Sequence, residues 1–226
     1  MDVLCFASRK GGSGKSTLVA HLSAHATRPN RRCLLIDADS QGSLTLWHKL
    51  RGTGEPALRN CARGVAEAVA AARADGYHYV FIDTPPDMST VVTEAIQSAT
   101  LVIVPTRLAV FDLAAIKETI DLARHLRKPY AVVINAAPAR RDNTESPFVT
   151  QARQMISSLN VPVWSGQITN RANYALSLAS GEGVREFEAQ SQAATEIGRL
   201  WLAIDRSVRA IHGAYQSSGV MHRVAA

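Results

Sequence analysis

The chain has 226 residues, 46% of them hydrophobic and 19% charged, with 25 Lys and Arg against 19 Asp and Glu for a formal net charge of +6. That length suits one domain with a full two- or three-layer core. No apolar run approaches the roughly 18 residues needed to cross a bilayer, and Asp2 followed at once by a strand-like run argues against a cleaved leader. Cys5, Cys33 and Cys61 show neither CxxC nor metal-ligand spacing, and the first two sit in apolar runs. Buried reduced thiols of a cytosolic protein are the expectation, not disulfides. The surplus of positive charge admits a solvated surface or a polyanionic partner, either nucleic acid or anionic lipid.

In chain order, Val3 to Ala7 reads as a buried strand and 15–27 as a helix behind a glycine-rich loop. Cys33 to Ile36 gives a second strand ending at Asp37, and a helical pattern at 64–75 precedes a strand from Tyr79 to Asp83. A helix near 89–98, a strand at 101–105, a helix at 112–127 and a strand at 130–135 follow. Beyond a loop at 136–147 come a helix at 148–159, a short strand around 162–164, and helices near 171–180 and 190–215, leaving 216–226 as a flexible tail. Short β-branched runs alternating with helices predict a single α/β domain, a mostly parallel, doubly wound sheet flanked by helices.

The stretch Arg9-Lys10-Gly11-Gly12-Ser13-Gly14-Lys15-Ser16-Thr17 lies between a predicted strand and a predicted helix. Its glycines let the backbone approach phosphate oxygens, and the helix dipole points at the same anion. Gly11, Gly12, Ser13, Gly14, Lys15, Ser16 and Thr17 are therefore the candidate nucleotide contacts of a P-loop. Lys15 would bridge the β- and γ-phosphates and the Ser16 hydroxyl would ligate Mg²⁺. Arg9 stands where the usual motif begins with glycine, and Lys10 follows it.

"KGGSGKST" resembles the deviant Walker A loop of the ParA/MinD ATPases, in which the leading lysine serves the nucleotide of the neighbouring subunit across a dimer interface. By that resemblance Lys10 acts in trans. "LLIDADSQGS" (34–43) is similar to the family's second acidic motif, although Ser40 replaces the commoner proline. The resemblance implies Asp37 in the Mg²⁺ shell and Asp39 as the residue that positions the attacking water, so Lys10, Lys15 and Asp39 are the catalytic candidates. "YVFIDTPP" (79–86) fits the Walker B strand, with Asp83 holding Mg²⁺ through water. From the residues alone, a helix N-cap is the alternative reading of Asp37 or Asp83. Asn135 matches a family adenine reader and Ile168 and Thr169 a segment beside the base, while a satisfied loop Asn is the competing reading. Arg171, Tyr174, Gly181 and Glu188 resemble the C-terminal part of short, ParF-like members.

The short branch implies an ATP-dependent switch with ATP and Mg²⁺ as cofactors. It would form an ATP-sandwich homodimer that binds nucleoid DNA without sequence preference, in the cytoplasm. A ParB-like or other cargo-bound protein would stimulate hydrolysis, and the cargo would be a plasmid, a chromosome or a protein body. Starting directly at the first strand, the chain is expected to lack the helix-turn-helix extension of longer partition ATPases. Lys117, Arg124, Arg127, Lys128, Arg140 and Arg141, with Arg171, Arg199, Arg206 and Arg209, are the basic residues available to DNA, each equally at home on a solvated face. A MinD-like membrane cycle is the rival, because Ile197, Leu200, Trp201, Ile204, Val208 and Ile211 form a stripe flanked by arginines. A metabolic enzyme resembling dethiobiotin synthetase is the other. A nitrogenase iron protein would need cysteines in loops, whereas Cys5 and Cys33 fall in strands.

Overall fold

The computed structural model describes residues 1–108, 110–142 and 144–224, with side chains described outside 110–114 and 215–224. The apolar runs form strands β1 (Asp2–Phe6), β2 (Cys33–Asp37), β3 (Ala57–Arg59), β4 (Tyr79–Asp83), β5 (Leu101–Thr106) and β6 (Tyr130–Ile134). They make one sheet in the order β3-β2-β4-β1-β5-β6, and every pairing is parallel. Parallel strands need crossover helices, which cover both faces. Alternation along each strand sorts the core accordingly. Val3 and Cys5 of β1 and Leu34 and Ile36 of β2 pack on helices α3 (Val65–Ala74), α4 (Thr90–Ser98), α5 (Val110–His125) and α6 (Pro147–Ser157). Leu4, Phe6, Cys33 and Leu35 face helices α1 (Lys15–Ala26), α2 (Ser43–Arg51), α7 (Ala172–Ala179), α8 (Val184–Phe187) and α9 (Gln192–Val224).

Helices α2 and α8 and strand β3 were not legible in the sequence. In α2 only Leu44 and Trp47 are buried while Leu46 and Leu50 point outward, so no apolar stripe announces the helix. β3 is a three-residue edge strand, too short for a pattern. The strand expected at 162–164 reduces to a single parallel bridge between Val132 and Val163.

Where the sequence reading expected a tail, the backbone of 216–224 continues α9, which meets no proline before Val224. The last two residues of the expected tail, 225 and 226, lie outside the described residues. The α9 stripe of Ile197, Leu200, Trp201, Ile204 and Val208 is buried against the sheet, not displayed to a bilayer. Among the described residues no helix is long and apolar enough to cross a membrane.

Topology places the site. β1 lies between β4 and β5, so the chain turns to opposite sides of β1 at its C-terminal end, where open α/β sheets bind ligands. Asp83 is level with Phe6 on one side and Asp37 on the other. The loop after β1 and two strand-end carboxylates are thereby brought together.

Candidate functional site

The loop leaving β1 turns through Gly12 and Gly14, both left-handed at φ 73° and 95°. At Gly14 a side chain is also sterically barred: a Cβ there would fall 2.0 Å from Asn135 Nδ2. α1 then opens at Lys15, with the Leu18 N–H donating to the Gly14 carbonyl at 2.9 Å. Lys15 is buried and donates from Nζ to the Ser8 carbonyl at 3.2 Å. Burial lowers its ammonium below the usual range, while Asp83, Asp39 and Asp87 pull in the opposite direction. Gly11, Gly12 and the run 14–17 line a cavity of about 460 Å³, with Asp39 and Arg107 on its rim.

Asp83 ends β4 fully buried, and neither carboxylate oxygen has a hydrogen-bond donor among the described residues. Burial pushes its pKa up to about 7; the nearby Ser16 hydroxyl opposes this, Asp37 adds to it, Lys15 opposes it and Asp39 adds to it. An orphaned carboxylate beside a serine hydroxyl fits a divalent cation that completes its shell with phosphate and water, as Mg²⁺ does. No described cluster of three or more His, Cys, Asp or Glu side chains competes as a protein-only metal cage.

Asp37 is used differently. Its Oδ2 accepts from the Thr45 N–H at 2.8 Å and the Thr45 hydroxyl at 2.7 Å, and Oδ1 accepts from the Asp39 N–H at 3.3 Å. Thr45 lies in the first turn of α2, whose N-cap is Gly42, so Asp37 anchors that helix end from the strand without being its cap residue. Asp39 lines the cavity and accepts from the Gln41 N–H at 3.0 Å.

The three candidates for the base do not line the cavity. Asn135 donates from Nδ2 to the Ser13 carbonyl at 2.7 Å, holding the phosphate loop from behind. Ile168 is buried in the core on the α1 side. The buried Thr169 gives its N–H to Glu196 at 3.0 Å. Glu196 also takes Arg171 at 3.0 Å and the Tyr174 hydroxyl at 2.9 Å, so Arg171 and Tyr174 knit α7 to α9. Gly181 is left-handed at φ 73°, with the Arg51 backbone where its Cβ would stand, and Glu188 accepts from Asn173 at 2.5 Å.

At the loop's leading edge Arg9 pairs with Glu118 of α5, and Lys10 is exposed and does not line its own chain's cavity. Of the DNA candidates, Lys117 pairs with Asp121 at 2.6 Å and Arg209 with Asp205 at 2.7 Å. Arg140 pairs with Glu145 at 3.5 Å. Arg124 is spent on the Tyr130 hydroxyl and the Leu159 and Asn160 carbonyls, and Lys128 on the Ala99 carbonyl. Arg127, Arg141, Arg199 and Arg206 are exposed. The sequence reading missed Arg107; its position right after a strand end, level with the loop, was the available signal.

Comparison with known proteins identifies the family. The profile of the CobQ/CobB/MinD/ParA nucleotide binding domain matches residues 4–184. The chain is 30% identical to maintenance of carboxysome distribution protein A of Gloeobacter kilaueensis, over 88% of this chain and 95% of that protein. It is 25% identical to the chromosome partitioning protein ParA of Caulobacter vibrioides, over 93% and 97%. Among solved structures, an ATP complex of a Cyanothece McdA variant superposes with a TM-score of 0.71 at 16% identity, covering 94% of this chain and 96% of that one. The chain belongs to the CobQ/CobB/MinD/ParA family of nucleotide-binding proteins, with the P-loop fold of MinD and ParA.

Proposed function

We propose that the chain is an ATP-driven switch of the ParA type. Two ATP-loaded copies form a sandwich dimer that holds DNA without sequence preference, and a ParB-like or other cargo-bound protein triggers hydrolysis. The reading places it in the cytoplasm on the nucleoid. The observation that carries it is the division of lysines: Lys15 is buried and lines the chain's own cavity with Asp39, whereas Lys10 is exposed and does not line that cavity, as suits a residue serving a second copy's nucleotide.

In this reading the loop N–H groups and Lys15 hold the phosphates, and Asp39 orients water in line with the terminal phosphorus. Ser16 and Asp83 would hold Mg²⁺, which neutralises phosphate charge when bound. Basal turnover is expected to be slow, on the order of one per minute or less, since the switch must persist until its partner arrives. Arg199 and Arg206 sit seven residues apart on the exposed side of α9, about 10 Å along one face, and with Arg127 are the best-placed DNA contacts. Arg171, paired to Glu196, and Lys117, paired to Asp121, have less charge to give.

The decisive experiment mixes two inactive variants, Lys10→Ala and Asp39→Ala. In the heterodimer one site combines intact Asp39 from one chain with intact Lys10 from the other, so ATPase activity rises on mixing. Crosslinked heterodimers without recovery would refute the role in trans. In parallel, Arg199→Glu with Arg206→Glu should weaken ATP-dependent DNA binding, and binding should fall steeply with salt. Equal DNA binding without nucleotide would refute the switch.

A further inference from the structure

Arg107 has no part in the reaction scheme so far, yet it stands in the same cavity. It follows directly on β5, exposed, and lines the cavity with Lys15 and Asp39. Both terminal guanidinium nitrogens lie 4.0 Å from the point where a Cβ on Gly12 would stand. That is ordinary van der Waals range, so the guanidinium lies against the loop at the left-handed Gly12. Of the neighbouring cations, Arg9 is paired with Glu118, and Lys15, which donates to the Ser8 carbonyl, already has a phosphate role in that scheme. Among the described residues the Arg107 guanidinium has neither a hydrogen bond nor an ion pair.

The polarity of the loop says which phosphate it would meet. Gly14 to Thr17 form the helix end, whose N–H groups cradle the inner phosphates. Gly12 lies on the strand side, the end toward which the outermost phosphate projects. Resting on the ATP-switch reading above, we infer that Arg107 is a binding residue for the terminal phosphate of the nucleotide held by its own subunit. A guanidinium presents paired N–H donors that match two phosphate oxygens, which a point-charge ammonium does not. The outermost phosphate is the group that hydrolysis removes, so a contact confined to it separates ATP from ADP. A single subunit would then choose ATP before it dimerises, and Lys10 of a second copy would add to a choice already made.

The test measures Mg²⁺-dependent binding of a fluorescent non-hydrolysable ATP analogue and of the matching ADP, at protein concentrations where sedimentation shows monomer. In Arg107→Ala the ATP analogue should bind about 10- to 100-fold more weakly, while ADP shifts by less than about 3-fold. Arg107→Lys should recover part of the loss. An unchanged thermal midpoint in both variants checks that the fold is intact. Equal weakening of both nucleotides, or no weakening, overturns the inference. A wild-type protein that binds neither nucleotide would refute the switch reading itself, and this inference with it.

Discussion

Asn135→Ala separates two roles for one side chain. The Asn135 amide donates to the Ser13 carbonyl at 2.7 Å from a buried position, across a gap of 122 residues in sequence. Removing it leaves that carbonyl without its donor in a site water enters poorly, a cost of about 1–3 kcal/mol. For a chain of this size each kcal/mol moves the thermal midpoint by about 2–4 °C, so a drop of about 2–12 °C is expected without nucleotide. Asn135→Asp should cost more, because a carboxylate would face a carbonyl oxygen with no proton between them. The loop conformation serves every nucleoside triphosphate, so ATP and GTP should lose affinity together. The assays are urea or thermal unfolding by circular dichroism and titration with fluorescent ATP and GTP. An unchanged midpoint with a loss confined to ATP would refute the clasp and restore Asn135 as a reader of the base.

Asp83→Asn removes a buried charge that has no donor of its own, so at pH 8 the nucleotide-free protein should gain roughly 1–4 kcal/mol in urea unfolding while Mg²⁺-dependent hydrolysis is lost. His21 is buried, accepts from the Val184 N–H through Nδ1, and has its pKa lowered by burial from 6.5 to about 4. A depressed base contributes fully above its unfolded value, so its share of stability, on the order of 3 kcal/mol, should disappear as pH falls from 6.5 toward 4. His21→Asn, whose amide oxygen still accepts from Val184, should flatten unfolding-versus-pH curves over that window. Gly181→Ala places a methyl 2.4 Å from the Arg51 backbone nitrogen at a left-handed position, and should destabilise by at least about 2 kcal/mol in the same urea assay.

The phosphate loop was legible because glycine spacing, a lysine and a strand-helix boundary each have a local physical reason. The strands other than β3 were legible because a sheet buried on both faces demands continuous apolar runs, and Tyr79–Asp83 carried one to its last residue. The helix α2 was hidden because its outward leucines and inward Leu44 and Trp47 blur any period. The Asn135 clasp and Glu196 were overlooked for a different reason. Their partners, Ser13 for one and Thr169, Arg171 and Tyr174 for the other, are set by tertiary packing. Nothing local distinguishes a glutamate that gathers three donors from one that faces water. The basic residues show the converse: Arg124 looks like a surface charge in sequence and is a clamp between α5, β6 and the end of α6.

The central place of β1 has a consequence during synthesis. Strand β1, Asp2–Phe6, pairs with β4 and β5 and not with β2, so its sheet partners are residues 79–83 and 101–103. At about 5–20 residues per second, the ribosome takes on the order of 5–20 s to deliver them. For that interval Leu4, Cys5 and Phe6 are an apolar segment with no neighbour on either edge. The loop behind them cannot adopt its shape either, because its clasp, Asn135, arrives later still. The nascent chain therefore reaches nucleotide competence only after residue 135 has emerged, and until then β1 presents two bare edges open to pairing with another chain.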